Sequence, residues 1–339
     1  MVTKKDLFAS RVDHIKALLS SKLSGENAEQ LAEQLIKGTD GGGELEDFQN
    51  WLDSRFIPQL IWLDNVDYTR AITRSLPQAL SFAATDFGGS RQRDLGQLWT
   101  DTARGLLGEL AFQRFLKERF QLEIQHDISM DKTREEYIST DIKGTRDTRT
   151  GQMRPPKINV SVKTGKFNAR WMDEYTASKL EKIDVLVFVR VGTSREHFVA
   201  FLKTISFLGS KLFPEAVKIG ELNEETRKKL WDSIPDFEPI PAYITGYLKL
   251  KELNLPVHRL AVEVRGRKKK QIMITQGVGI FTEGVLRQRN EVVSLGQYRN
   301  LPLVVAGMGS PVEEKQHFYA STGALTFGRS NWHKFIELL

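Results

Sequence analysis

Strict alternation in Ile158-Asn159-Val160-Ser161-Val162-Lys163 predicts a strand with Ile158, Val160 and Val162 on an apolar face and Asn159, Ser161 and Lys163 on the other. A lysine in that position shares its face with two small polar residues. Upstream, Tyr137 to Ile142 reads as a second strand. It ends with Asp141 just before Lys143-Gly144, where a hairpin partner would bring the carboxylate beside Lys163. Further upstream, Glu109 interrupts the apolar helical stretch from Gly105 to Phe112, and a carboxylate on a buried face needs a partner. The chain has no cysteine and six histidines without paired ligand spacing, so any metal ion here sits on oxygen ligands. Carboxylates beside a lysine suit the activation of a water and the neutralisation of a phosphate. Taken singly, each residue has a plainer reading: a solvated strand lysine, a turn-forming aspartate, a glutamate paired with a structural arginine.

The elements that must position this set follow from periodicity. Asp6 to about Ser81 is helical in pattern, with Leu31 and Leu35, then Phe48, Leu52 and Phe56, recurring every four residues. Glycines at Gly38 to Gly43 separate two of these helices, and a second break at Phe87-Gly88-Gly89-Ser90 precedes a long helix from Leu95 to Phe120. Strands are then expected at Leu122 to Ile128, Tyr137 to Ile142, Lys157 to Lys166, Val185 to Val191 and Phe198 to Leu202, with one helix at Asn168 to Lys182. Val185 to Val189 is continuously apolar, as in a strand covered on both faces, so the sheet is mixed and flanked by helices. A connecting segment follows, with a short helix opened by Asn223, and strands return at Ala242 to Leu250. The expected organisation is α/β: a helical N-terminal region over residues 1–90, a core over 91–250 and a β-rich C-terminal region over 251–339.

With 339 residues, 40% of them hydrophobic and 27% charged, the composition is globular and excludes collagen-like or wholly disordered chains. No apolar run reaches the roughly 18 residues of a membrane helix. The first residues interleave Lys4, Asp6, Arg11 and Asp13 with apolar positions, unlike a signal peptide, so a cytoplasmic protein without membrane attachment is expected. The formal charge of +6 fits a polyanionic partner. Arg265, Arg267, Lys268, Lys269 and Lys270 crowd into six residues and are the first candidates for phosphate contacts. Lys166, Arg170 and Trp171, just after the lysine strand, form a second such group.

A helix glutamate, a strand aspartate, a strand lysine, then a helix and an apolar strand: this order, over about Leu95 to Leu202, resembles the PD-(D/E)XK nuclease superfamily. The resemblance implies a restriction-endonuclease-like core. In it Asp141 would bind the metal, Lys163 would be the lysine of the third motif, and Glu109 the glutamate that many members place on the first helix. No proline precedes Asp141, and Ser161 occupies the place of the usual second carboxylate. Some restriction enzymes that cut CCGG-centred sites also have Ser there and draw the acid from the following helix, where Glu174 is the nearest candidate. Glu109 is the first choice for the missing charge, and the Val162 carbonyl would complete the metal shell.

The resemblance thus implies a Mg²⁺-dependent endonuclease acting on double-stranded DNA, most like a prokaryotic type II restriction enzyme. A homodimer is expected, because two sites related by a two-fold cut both strands of a palindrome. A structure-specific repair or recombination nuclease, and a non-catalytic nucleic-acid-binding protein that has lost its second acid at Ser161, are the alternatives.

Overall fold

A computed structural model describes residues 3–38, 47–83, 94–126, 141–174, 183–250, 260–265, 269–274, 278–280, 304–305 and 318–339. Helix α1 (Lys4–Leu19) opens on a capping box in which Thr3 and Asp6 exchange hydrogen bonds, and α2 (Gly25–Lys37) opens on the Ser24 hydroxyl. Helix α2 stops at Gly38, where a Cβ would lie 2.5 Å from the Asn168 carbonyl oxygen. A short α3 (Phe48–Trp51) leads to strand β1 (Leu60–Leu63), and α4 (Asn65–Ala83) follows. The long α5 (Leu95–Phe120) is capped by Asp94 and ends at Gln121, which adopts the left-handed conformation with φ 57°.

Next come β2 (Leu122–His126), β3 (Ile142–Asp147), β4 (Met153–Arg154), β5 (Val160–Lys166), β6 (Trp171–Glu174) and β7 (Val185–Val191). Three helices follow: α6 (His197–Thr204), α7 (Phe213–Lys218) and α8 (Glu224–Ser233), the last capped by Asn223 as expected. Strand β8 (Ile240–Lys249) completes the central sheet. Beyond it lie β9 (Leu260–Arg265), β10 (Lys269–Ile274), β11 (Val278–Ile280), β12 (Val304–Val305), β13 (Phe318–Ser321) and α9 (Arg329–Ile336).

The central sheet has the order β1-β8-β7-β5 and is mixed, with β5 parallel to β7 and the other neighbours antiparallel. All seven residues of β7 are buried, which explains its unbroken apolar sequence. Helices α4 and α5 pack against this sheet, and Ile61, Ala71, Leu107, Phe112, Val160, Val187 and Ile244 share one core. Arg114 ties α5 to the β1–α4 corner, bonding the Trp62 carbonyl at 2.5 Å and pairing with Asp64 at 2.9 Å and Asp67 at 3.0 Å. The N-terminal helices form a second core around Leu31, Leu35, Trp51 and Phe56. A separate antiparallel sheet, β2-β3-β4, meets β5 through Asp141, whose amide donates to the Val160 carbonyl at 2.9 Å. The described helices include none long and apolar enough to cross a membrane.

Several expectations are corrected. The helix expected from Asn168 to Lys182 does not begin there: Trp171–Glu174 is a strand, because β13 from near the C-terminus pairs with it antiparallel, and 175–182 lie outside the described residues. Phe198 to Leu202, expected as a strand, is part of α6; a five-residue apolar run does not distinguish the two states. Strand β3 begins after Asp141 and contains Lys143-Gly144, so that pair is not a turn; 137–140 lie outside the described residues. The N-terminal stretch is not wholly helical, since β1 pairs with β8. The C-terminal stretch, expected as β-rich, also carries a helix: α9 places Trp332 and Phe335 against Phe112, Phe115 and Tyr247 in the main core.

Candidate active site

Among the described strands of the central sheet, β5 is the outermost on its side. Asp141 bonds to its backbone twice over. Its amide donates to the Val160 carbonyl, and its Oδ2 accepts the Val162 amide at 2.6 Å. In a strand the N–H and C=O of one residue point to the same side, so the Val162 carbonyl is directed toward the edge that Asp141 occupies. Lys163, half-buried, is the next residue and projects to the sheet face opposite Val162.

Glu109 reaches this edge from α5. The helix runs unusually close to β5, because at Gly108 a Cβ would come within 1.8 Å of the Thr164 hydroxyl oxygen. The Thr164 hydroxyl in turn donates to the Gly105 carbonyl at 3.0 Å. Burial pushes the Glu109 carboxyl well above the usual range; the Asp141 charge adds to that, while Lys163 and Arg74 oppose it. The three residues singled out in sequence are therefore near enough for their charges to act on one another. Arg74, on α4, is the structural arginine that sequence reasoning allowed for without locating. Its signal was weak, since an arginine at one helical position looks like any solvated one.

Glu109 also lines a cavity of about 330 Å³ with Gln78 of α4 and Leu98, Asp101, Thr102 and Gly105 of α5. The spacing of Leu98, Thr102, Gly105 and Glu109 puts them on one helix face, a pattern visible in the sequence. Among the described residues a Cβ at Gly105 would have no atom within 4 Å.

Ser161 does not stand on an open polar face. It is buried, as are its neighbours Val160 and Val162, so β5 is covered on both sides there. Glu174 lies on strand β6 opposite Phe318, not on a helix following the lysine. Lys166 is exposed at the end of β5. Arg170 donates through Nε and Nη2 to the Lys37 carbonyl, at 2.6 Å from Nε, and so caps the C-terminus of α2. Arg265 and Lys269 are register partners of the antiparallel strands β9 and β10, with Lys270 next along β10; Arg267 and Lys268 lie outside the described residues.

Among the described residues no three His, Asp or Glu side chains are grouped to hold a metal ion. Asp141, Glu109 and the Val162 carbonyl are nonetheless hard oxygen donors, and Mg²⁺ is bound by one or two carboxylates while keeping several waters. A cation between the two carboxylates would also offset the repulsion that raises Glu109, so these residues fit such an ion. Comparison of the chain with protein-family models, with curated proteins and with solved structures finds no match.

Proposed function

We propose that this protein is a Mg²⁺-dependent endonuclease that hydrolyses DNA phosphodiester bonds, on the PD-(D/E)XK plan. The observation that carries the reading is that Asp141, held on the Val162 amide of β5, and Lys163 both act electrostatically on Glu109. The order α5, β2, β3, β5, β7, with β5 parallel to β7, supports a restriction-endonuclease-like core.

Asp141 and Glu109, with the Val162 carbonyl, would hold the cation, and when bound it supplies Lewis acidity and a lowered pKa for a coordinated water. Lys163 orients the attacking water and neutralises charge on the phosphate. The Val162 amide fixes the Asp141 carboxylate, and the close contact at Gly108 fixes the approach of Glu109. Ser161, enclosed between neighbours, contributes shape rather than a ligand. The basic residues Arg265 to Lys270 would supply phosphate contacts, as would Lys166, three residues beyond Lys163 on β5.

The finer reading is a type II restriction enzyme of a prokaryotic cytoplasm, working as a homodimer on double-stranded DNA. Incubation of supercoiled plasmid with the protein and Mg²⁺ tests both levels. Discrete fragments support the restriction enzyme; nicking or degradation without fixed fragments retains the nuclease and replaces that finer reading with a structure-specific one. Intact plasmid across a range of divalent cations, with DNA still bound, would transfer the argument to a non-catalytic nucleic-acid-binding protein.

A further inference from the structure

A second cavity, of about 200 Å³, opens on the side of α5 opposite Glu109. Thr100 and Arg104 lie about half a helical turn around α5 from Thr102 and Glu109, which separates the two cavities by the body of the helix. Tyr68 of α4 adds a hydroxyl, and Thr193, Ser194 and Arg195 come from the link between β7 and α6. The lining residues thus bring two guanidinium groups and the hydroxyls of Tyr68, Thr193 and Ser194 from three parts of the fold, whereas the Thr100 hydroxyl donates back to the Gly96 and Gln97 carbonyls at 3.1 Å; no carboxylate is among the residues described as lining the space.

The link is held in place. The Ser194 amide donates to the His197 Nδ1 at 2.6 Å, and the His197 Nε2 meets the Glu238 carbonyl at 3.2 Å. One ring nitrogen accepts and the other donates, so the imidazole is neutral, and burial lowers its pKa accordingly. His197 therefore acts as a strut for residues 193–195 and brings no charge into the cavity. Burial pushes the Tyr68 hydroxyl up to about 12, so it keeps its proton and remains a donor. Arg104 pairs with Asp101 at 3.3 Å through Nη1, an i,i+3 contact with both side chains about a third exposed, and a pair so placed is weak.

We infer that this cavity is a binding site for a phosphate monoester group. A tetrahedral dianion accepts hydrogen bonds from many directions at once, which suits two arginine forks and three hydroxyl-bearing residues, whereas a carboxylate would be satisfied by one fork. The space is below the roughly 300–1,000 Å³ of pockets that enclose organic ligands, so it takes the phosphate and little of what bears it. Arg195, exposed at the mouth, meets the group first; Arg104, deeper, holds it. The bearer is either a free monoester or the phosphorylated end of a nucleic acid strand. The inference stands apart from the reading of Asp141, Glu109 and Lys163.

Calorimetric titration of the whole protein with inorganic phosphate, in EDTA, tests it. The ring of Trp99 meets Phe198, a wall residue, edge-on at 5.8 Å, so indole fluorescence gives a second readout. Saturable binding is expected, weakened about tenfold or more in Arg104→Gln and in Arg195→Gln and unchanged in Lys163→Ala. Arg195 is exposed, so its substitution leaves the core intact and keeps the test valid if Arg104→Gln misfolds. An oligonucleotide with a 5′-phosphate that binds more tightly than its 5′-hydroxyl counterpart, with the difference lost in Arg195→Gln, assigns the strand end; equal affinity of the two assigns the free monoester. Absence of phosphate binding by the wild type, affinity unmoved by both arginine substitutions, or affinity lost in Lys163→Ala overturns the inference.

Discussion

The Thr164 hydroxyl donates to the Gly105 carbonyl, one helical turn before Glu109, and lies where a side chain on Gly108 would have to go. Two glycines of α5 and one threonine of β5 therefore set how near the helix carboxylate comes to the strand edge. Gly108→Ala is expected to destabilise the protein by about 1–3 kcal/mol, the range for forcing a methyl into filled space. In Gly108→Ala/Thr164→Ala the loss should be smaller than the sum of the single losses, because the second change vacates the space the first needs. Urea unfolding of the four proteins measures this, and strict additivity would mean the contact does not set the helix position.

Glu109→Gln should abolish cleavage in Mg²⁺ and raise the melting temperature of the metal-free protein at pH 8. The sign follows from the raised pKa: burial and the Asp141 charge make the ionised carboxylate costly in the folded chain, and that cost is present in full above the folded pKa. A neutral amide removes it. A lower melting temperature at pH 8 would show that Lys163 and Arg74 outweigh burial and that Glu109 is a stabilising partner.

Lys163→Ala should lower the cleavage rate by about a hundredfold or more while leaving DNA affinity and the fold intact, because the ammonium acts on the attacking water and the phosphate. Ser161→Ala should retain at least part of the activity, since the buried hydroxyl is a poor ligand for a hard cation. Single-turnover rates on plasmid compare the two. Equal losses would give Ser161 a role in the chemistry.

His197 makes stability depend on pH in a stated direction. Its folded pKa lies below the unfolded value of about 6.5, so as pH falls the unfolded chain takes up the proton first. The stabilisation is complete above that value and is lost as pH drops through it toward the folded pKa. Urea midpoints should therefore fall between pH 7 and pH 5, and the slope should shrink in His197→Gln. A slope of the same size in the variant would place its source elsewhere.

What the amino-acid sequence determined was local. The unbroken apolar run of β7, the span of α5 from Leu95 to Phe120 and the cap at Asn223 are all as read, because each depends on the period or the end signal of its own residues. The types and order of Glu109, Asp141 and Lys163 were legible for the same reason. What the tertiary structure alone decided depended on distant chain. Trp171–Glu174 became a strand when β13 paired with it, and β1 joined the sheet through β8. Arg170 was claimed by the end of α2, Ser161 was enclosed from both faces, and Arg74 was placed beside Glu109 by the packing of α4 on α5. A residue's period is written in its neighbours in sequence, whereas its pairing edge, burial and electrostatic company are set by whichever remote segment packs against it.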